Sequence, residues 1–300
     1  MKNAAARILI IMLLVSACLL TARARQSGLT QNPPESEEAE DEPDFIVPSR
    51  PTVSNPAEFH RPGVLQLEFG YNSNFRAAGI RTEQDAPLAL RFAASRRVLL
   101  EFDGDNPLSQ RTSDGVRATG AGDTQLGIQA VLRHQSKTKP GVALAYYIKL
   151  PTASTAKGLG TGRVDHNFIA LVSKNIGKAT VDFNAVYLLA GRTGSGGHAA
   201  SGQAALAISH GVTRLFGLQG ELSGYSRNDQ QPGAVFILGA VTYQLNRRLV
   251  LDGGLRSGLT MGSARGGAFA GLTIGLADLY RKRPTWIQKI PKRNDHNQRN

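Results

Sequence analysis

Cysteine, aromatic residues, long apolar runs and acidic charge are all scarce in this sequence. Cys18 is the only cysteine in 300 residues, and it lies in an N-terminal stretch expected to be removed. A mature chain without cysteine has no disulfide, no thiolate metal site and no cysteine nucleophile. No run of 18 or more apolar residues occurs, which excludes a helical membrane span of ordinary length. Spans built of strands escape that test, because every second residue can be polar. Phe, Trp and Tyr make up only 6%, thin for the aromatic girdles of a membrane barrel. Asp and Glu number 23 against 35 Lys and Arg, leaving +12. That surplus invites a nucleic-acid reading, but the start of the chain argues against it.

That start reads as an export signal over residues 1–24. Lys2 and Arg7 give a positive n-region, Ile8 to Leu20 an apolar core, and Ala22-Arg23-Ala24 a small-x-small cleavage site. Val15-Ser16-Ala17-Cys18 is similar to a lipoprotein cleavage motif, but the apolar run continues through Leu19 and Leu20. Cleavage after Ala24 is therefore expected. Residues 25–62 are rich in Pro, Ser, Glu and Asn without periodicity and are expected to form a disordered acidic linker. Residues 35–44 of it hold seven acids: Glu35, Glu37, Glu38, Glu40, Asp41, Glu42 and Asp44. The opposite end, 281–300, is a basic tail with Arg281, Lys282, Arg283, Lys289, Lys292, Arg293 and Arg299. Its Trp286, Ile287 and Ile290 offer some apolar surface, yet Pro284 and Pro291 limit any helix, and a solvated tail is expected.

Between about 63 and 280 the sequence switches between alternating stretches and gaps. Leu65, Leu67, Phe69 and Tyr71 fall on one face, and Gln66, Glu68, Gly70 and Asn72 on the other. Such period-two patterns predict strands. They recur around Leu88–Ala93, Val98–Asp103, Thr124–Arg133 and Val142–Lys149, then near 165–174, 179–190, 201–210, 214–225, 234–245, 248–258 and 267–280. The gaps alternate in length. Those near 74–85, 104–121, 151–164, 191–200, 226–233 and 259–266 are long and rich in Gly, Ser, Thr and charge; those near 94–96, 135–140, 175–178, 211–213 and 246–247 are short. Short periplasmic turns and long external loops are the signature of an outer-membrane barrel. The fold expected is all-β: a closed antiparallel transmembrane β-barrel of about twelve strands with both termini in the periplasm. Closure gives every backbone group an internal partner in lipid, where an open sheet would leave two edges.

If each apolar face meets lipid, the polar faces line a lumen. The candidate lining residues are Glu68, Arg91, Glu101, Asp103, Arg133, Lys149, Asp182, Glu221, Asp252 and Arg256. They could form a polar passage, or pair off as a filled interior. No catalytic set stands out. Ser209-His210 and Asp165-His166 are each adjacent on a strand, so their side chains face opposite ways and cannot form a dyad. The histidines His60, His134, His166, His198, His210 and His296 lack metal-ligand spacing. Gly158-Leu-Gly-Thr-Gly162 and Gly194-Ser-Gly-Gly197 look like phosphate loops, but no helix follows either. No metal, cofactor, enzyme activity or nucleic-acid partner is expected.

The ordered series Gly122-Asp-Thr-Gln-Leu-Gly127, Pro140-Gly-Val-Ala-Leu-Ala145, Lys149-Leu-Pro-Thr152, Gly158-Leu-Gly-Thr-Gly162, Asp165 and Ser173-Lys-Asn-Ile-Gly177 resembles an outer-membrane transporter family named after the meta-pathway of phenol degradation. The resemblance covers most of 63–280 and is best from 120 to 192. It implies a Gram-negative outer-membrane barrel, with membrane lipid as its surroundings and small aromatic or hydrophobic molecules as cargo. A non-transporting scaffold or surface-binding barrel is the alternative. The final stretch, Phe269 to Tyr280, resembles the signal read by the barrel-insertion machinery, although twenty residues follow it.

Overall fold

The computed structural model describes residues 44–280, without 78, 195, 229 and 230. The expected export signal, the first part of the linker and the basic tail lie outside the described residues. The elements are β1 (Val64–Ala77), β2 (Ile80–Ala93), β3 (Val98–Thr112), β4 (Arg117–Gly120), β5 (Thr124–Arg133), β6 (Gly141–Leu150), β7 (Asp165–Ile176), β8 (Ala179–Gly191), β9 (His198–Gly211), β10 (Phe216–Tyr225), β11 (Ala234–Asn246), β12 (Leu249–Gly258) and β13 (Gly266–Asp278). Among the described residues no helix is long and apolar enough to cross a membrane.

All pairings are antiparallel. β3 pairs with β2, and with β5 along its first half; the short β4 extends β3 alone beyond that. Setting β4 aside, twelve strands follow one another in chain order, and β1 pairs with β13 from Val64↔Asp278 to Phe75↔Gly266. That last ladder closes the ring, so among the twelve ring strands none presents an open edge within it.

The barrel is inside-out relative to a soluble protein. Phe69, Leu100, Phe102, Ile128, Leu144, Phe168, Leu218 and Val241 are exposed. By contrast Gln66, Glu68, Arg91 and Gln129 are buried. Alternation along each strand produces both facts: apolar residues form an outward belt and their polar neighbours point in.

Two expected loops are strands instead. Residues 74–85 continue β1 and β2 as a ladder to Ala77↔Ile80, and Gly79 just before β2 takes φ +72°. Within 104–121, β3 runs on to Thr112 and folds back as β4. These extensions stand beyond the lipid belt. Neither face meets hydrocarbon there, so they carry no apolar alternation for the sequence to show.

The larger correction concerns the linker. Residues 44–62, expected to be disordered, are folded into the barrel. Their two ends meet where the Arg61 N–H donates to the Asp44 carbonyl at 2.9 Å. In between, the loop touches inward residues from strands all round the ring.

Candidate functional site in the lumen

The loop enters from the short-turn end. Phe45 lies under the guanidinium groups of Arg61 and Arg248, at 5.2 and 4.4 Å from its ring centre. Further in, the loop runs along β1 at the strand's own two-residue step. The Val47 N–H donates to Gln66 Oε1 (3.0 Å), and the Ser49 N–H to Glu68 Oε1 (2.9 Å). Ser49 Oγ and the Arg50 N–H donate to the other Glu68 oxygen at 2.8 and 3.1 Å. Glu68 also accepts from Arg91 Nη1 at 3.1 Å, while Arg91 Nε donates to Glu101 at 3.2 Å. Arg91 has no exposed surface. A charge so buried persists only when paired and hydrogen-bonded; two carboxylates and the Val47 carbonyl supply its partners.

Arg50 then reaches Asp252 on β12, its Nε and Nη2 each 3.3 Å from a carboxylate oxygen. The guanidinium lies over Gly70 and Gly271, partners across the closing seam. A Cβ on Gly70 would sit 2.3 Å from it, and one on Gly271 2.5 Å. Only glycine leaves that notch open.

Past Arg50 the loop crosses the lumen. The Ser54 N–H donates to Glu221 on β10 at 2.8 Å. Asn55 and Asn184 on β8 exchange two hydrogen bonds, of 2.7 and 2.9 Å. The Ala57 N–H donates to Ser173 Oγ at 2.7 Å, and that hydroxyl donates to Asp182. On the way back Gln129 holds the Pro56 and Ala57 carbonyls, and Glu58 accepts from the Gln135 N–H at 2.8 Å. Apolar contacts complete the seat: Ala57 packs with Ala143, Ala145, Tyr147 and Leu171, and Phe59 with Ala93, Leu99 and Val131.

Above the loop lies a cavity of about 330 Å³, bordered by Ser49, Arg50, Asp103, Gln125, Tyr147 and Asn167 among others. Tyr147 donates to Glu101 at 3.1 Å and spreads its ring over Gly127, whose Cβ would lie 2.3 Å away.

At the long-loop end a second ion cluster forms. Lys149 Nζ is 3.1 Å from Asp123 and 2.7 Å from Asp165. The same carboxylates order backbone: Asp123 accepts from the Ala153 N–H and Asp165 from the Gly191 N–H, at 2.9 and 2.8 Å. Thr152 Oγ1 donates to the Gly122 carbonyl at 3.2 Å. The motif residues Gly122, Asp123, Lys149, Thr152 and Asp165, far apart in sequence, thus converge as one latch holding the 151–164 loop.

Of the ten candidate lining residues, the structure joins Glu68, Arg91 and Glu101 in one network, with Asp103 on the cavity wall. Asp182, Glu221 and Asp252 directly or indirectly hold the loop, and Lys149 forms the latch. Arg256 donates to Asn74 at 2.9 Å and lies over the Phe236 ring. Arg133 departs from expectation. A register shift follows Val131, and Arg133 ends exposed at the short-turn rim, its Nε donating to the Pro140 carbonyl at 3.0 Å. Arg50, Ser54 and Asn55 went unread because they fell in a segment without period.

Ser209 and His210 are consecutive on β9, opposite Thr180 and Ala179, so their side chains diverge. Asp165 is held by Lys149, whereas His166 meets the Tyr146 hydroxyl at 2.8 Å. Among the described residues no group of three or more His, Cys, Asp or Glu is placed to hold a metal ion.

The family described as "Putative MetA-pathway of phenol degradation" matches residues 49–275. No curated protein matches the chain. Among solved structures, the COG4313 outer membrane channel from Pseudomonas putida F1 superposes with a TM-score of 0.58 at 15% identity, over 73% of this chain and 97% of that one. The CymD monoaromatic hydrocarbon channel gives 0.41 at 9%, over 71% and 89%. Outer membrane phospholipase A from Escherichia coli gives 0.43 at 12%, over 78% and 95%.

Proposed function

We propose, from the premise that this chain belongs to the family described as "Putative MetA-pathway of phenol degradation", that it is a channel of the Gram-negative outer membrane passing small aromatic or other hydrophobic molecules. The observation that carries the reading is a closed barrel whose interior holds a polar-walled cavity, blocked on one side by a loop rather than by strand side chains. The printed description of the similarly folded Pseudomonas putida F1 protein as an outer membrane channel supports it. Glu68, Glu101, Asp103, Glu221 and Asp252 line the route on this reading; Arg91 and Lys149 fix its walls. The divergence of the Ser209–His210 and Asp165–His166 neighbours supports a channel over a hydrolase.

The loop also favours a second reading. It spans the lumen with charged and backbone contacts, as a permanent filling of a scaffold barrel would. Single-channel recording separates the two. A channel is expected to conduct weakly as it stands and several-fold more after removal of residues 46–57, with Arg50→Gln as a milder variant that keeps the loop. A folded barrel silent in all three forms would sink the channel and leave the scaffold.

A further inference from the structure

Beyond the lipid belt, the outward face of the β2–β3–β4 extension carries a basic cleft. Glu83 and Asp85 bond to Asn74 and Asn72 on the lumen side, so their neighbours Thr82 and Gln84 face out. Ser109 pairs with Gln84 and Thr119, and Arg111 with Thr82 and Arg117. Thr82, Gln84, Ser109, Arg111 and Arg117 line a cleft of about 460 Å³. Both arginines are exposed. They stand directly opposite one another on adjacent strands, a like-charge pairing that destabilises a sheet unless an anion lies between. Among the described residues neither has a carboxylate within ion-pair distance. The one acid in the intervening turn, Asp114, is engaged by the Thr112 hydroxyl, which holds its carboxyl below the usual range.

The height of the cleft identifies its ligand. Val98 opens β3 on the outward face, and Arg111 lies thirteen positions further on, one of them taken up by the register shift between Asp85 and Pro87. At roughly 3.4 Å per residue and a tilt of about 40°, that is about 31 Å of height. An apolar band is about 25 Å tall. Arg111 and Arg117 therefore project sideways, just past the hydrocarbon edge, where the headgroups of the outer leaflet lie. Phe75, outward and exposed, pairs with Thr82 beside them, adding an apolar contact at the same level. Two guanidinium forks with hydroxyl and amide donors match a phosphate monoester or diester.

We infer that this cleft binds the phosphorylated headgroup of an outer-leaflet glycolipid. The inference rests on the barrel sitting in the outer membrane with its long loops outward, and not on any passage through the lumen.

The test uses the whole folded barrel in detergent and native mass spectrometry. The probes are a bisphosphorylated lipid A, its dephosphorylated form and free pyrophosphate. The bound fraction of the phosphorylated lipid is expected to fall at least tenfold in Arg111→Gln/Arg117→Gln and less in Arg111→Lys/Arg117→Lys. Dephosphorylated lipid should bind as weakly as phosphorylated lipid does to the Gln variant. Unchanged binding in the Gln variant, with normal heat-modifiable gel migration showing a folded barrel, would overturn the proposal. Pyrophosphate binding as tightly as the lipid would overturn it too, reducing the cleft to a soluble-anion site. Orientation is read separately: Asp114→Cys should react with a membrane-impermeant maleimide on intact cells. Failure to label it while conductance is retained would leave the channel standing and remove the lipid site.

Discussion

His60 sits without exposed surface at the base of the loop, its Nε2 3.1 Å from the Val64 carbonyl and its other ring nitrogen buried without a partner in the protein. Burial pushes the imidazole down to about 4, and the nearby Arg91 charge adds to it, against an opposing pull from Glu68. In a released loop the group would titrate near 6.5. The docked form binds its proton less readily than the released form, so docking is at full strength above pH 6.5 and weakens as pH falls towards 4. Across that window the loss is about 3 kcal/mol, and at pH 5 it amounts to roughly thirty-fold in the docking equilibrium. Protease cleavage within 44–62 should accelerate accordingly between pH 7.5 and 5. His60→Asn should flatten this part of the profile; an unchanged slope would show that other groups set it. The glycine notch is a different residue-scale lesson. Gly70 and Gly271 are weak strand formers, and their use at this place appears when Arg50, from a segment without pattern, fills the gap they leave.

The strands were legible because lipid on one side and a polar lumen on the other impose alternation along each of them. Expected spans such as 179–190 and 234–245 lie within a residue of β8 and β11. The extensions past the belt, and the 44–62 loop, face no such two-sided boundary. The loop is held by backbone groups meeting side chains from nearly every strand, and no local window of sequence shows that. Its one trace is the two-residue step of Val47 and Ser49 against Gln66 and Glu68. The 151–164 loop was anticipated only as a long external connection, yet the Asp123–Lys149–Asp165 latch fixes its base. Lys149→Met would leave two carboxylates facing each other, at a cost of about 1–3 kcal/mol. Hydrogen exchange should quicken in 151–164 and stay unchanged in β10–β12. Equal protection in both would show that Leu159 and Ala153, both buried, hold the loop without the latch.

Taken whole, the molecule separates its charge by place. The chain carries +12, but Glu68, Glu83, Asp85, Glu101, Asp103, Asp123, Asp165, Asp182, Glu221 and Asp252 face the lumen against Arg50, Arg91, Lys149 and Arg256. The net charge therefore misleads about the interior, and only the alternation separates one from the other. A lumen with surplus carboxylates favours cations. Under a potassium chloride gradient the reversal potential should report cation preference. Anion preference would mean that the arginines of the two rims govern passage.

The loop goes in and comes out through the same mouth, with residues 44 and 61 bonded at its neck. It is therefore inserted like a cork and never threaded. The ladder between β1 and β13 can seal in the membrane before the loop arrives, and the loop can leave without parting a single rung. Arg61, at the neck, is also bridged to Asp278 at the end of β13, so sealing the seam brings the neck into position. The geometry thus permits the wall to be finished first and the stopper to be seated afterwards through the same mouth.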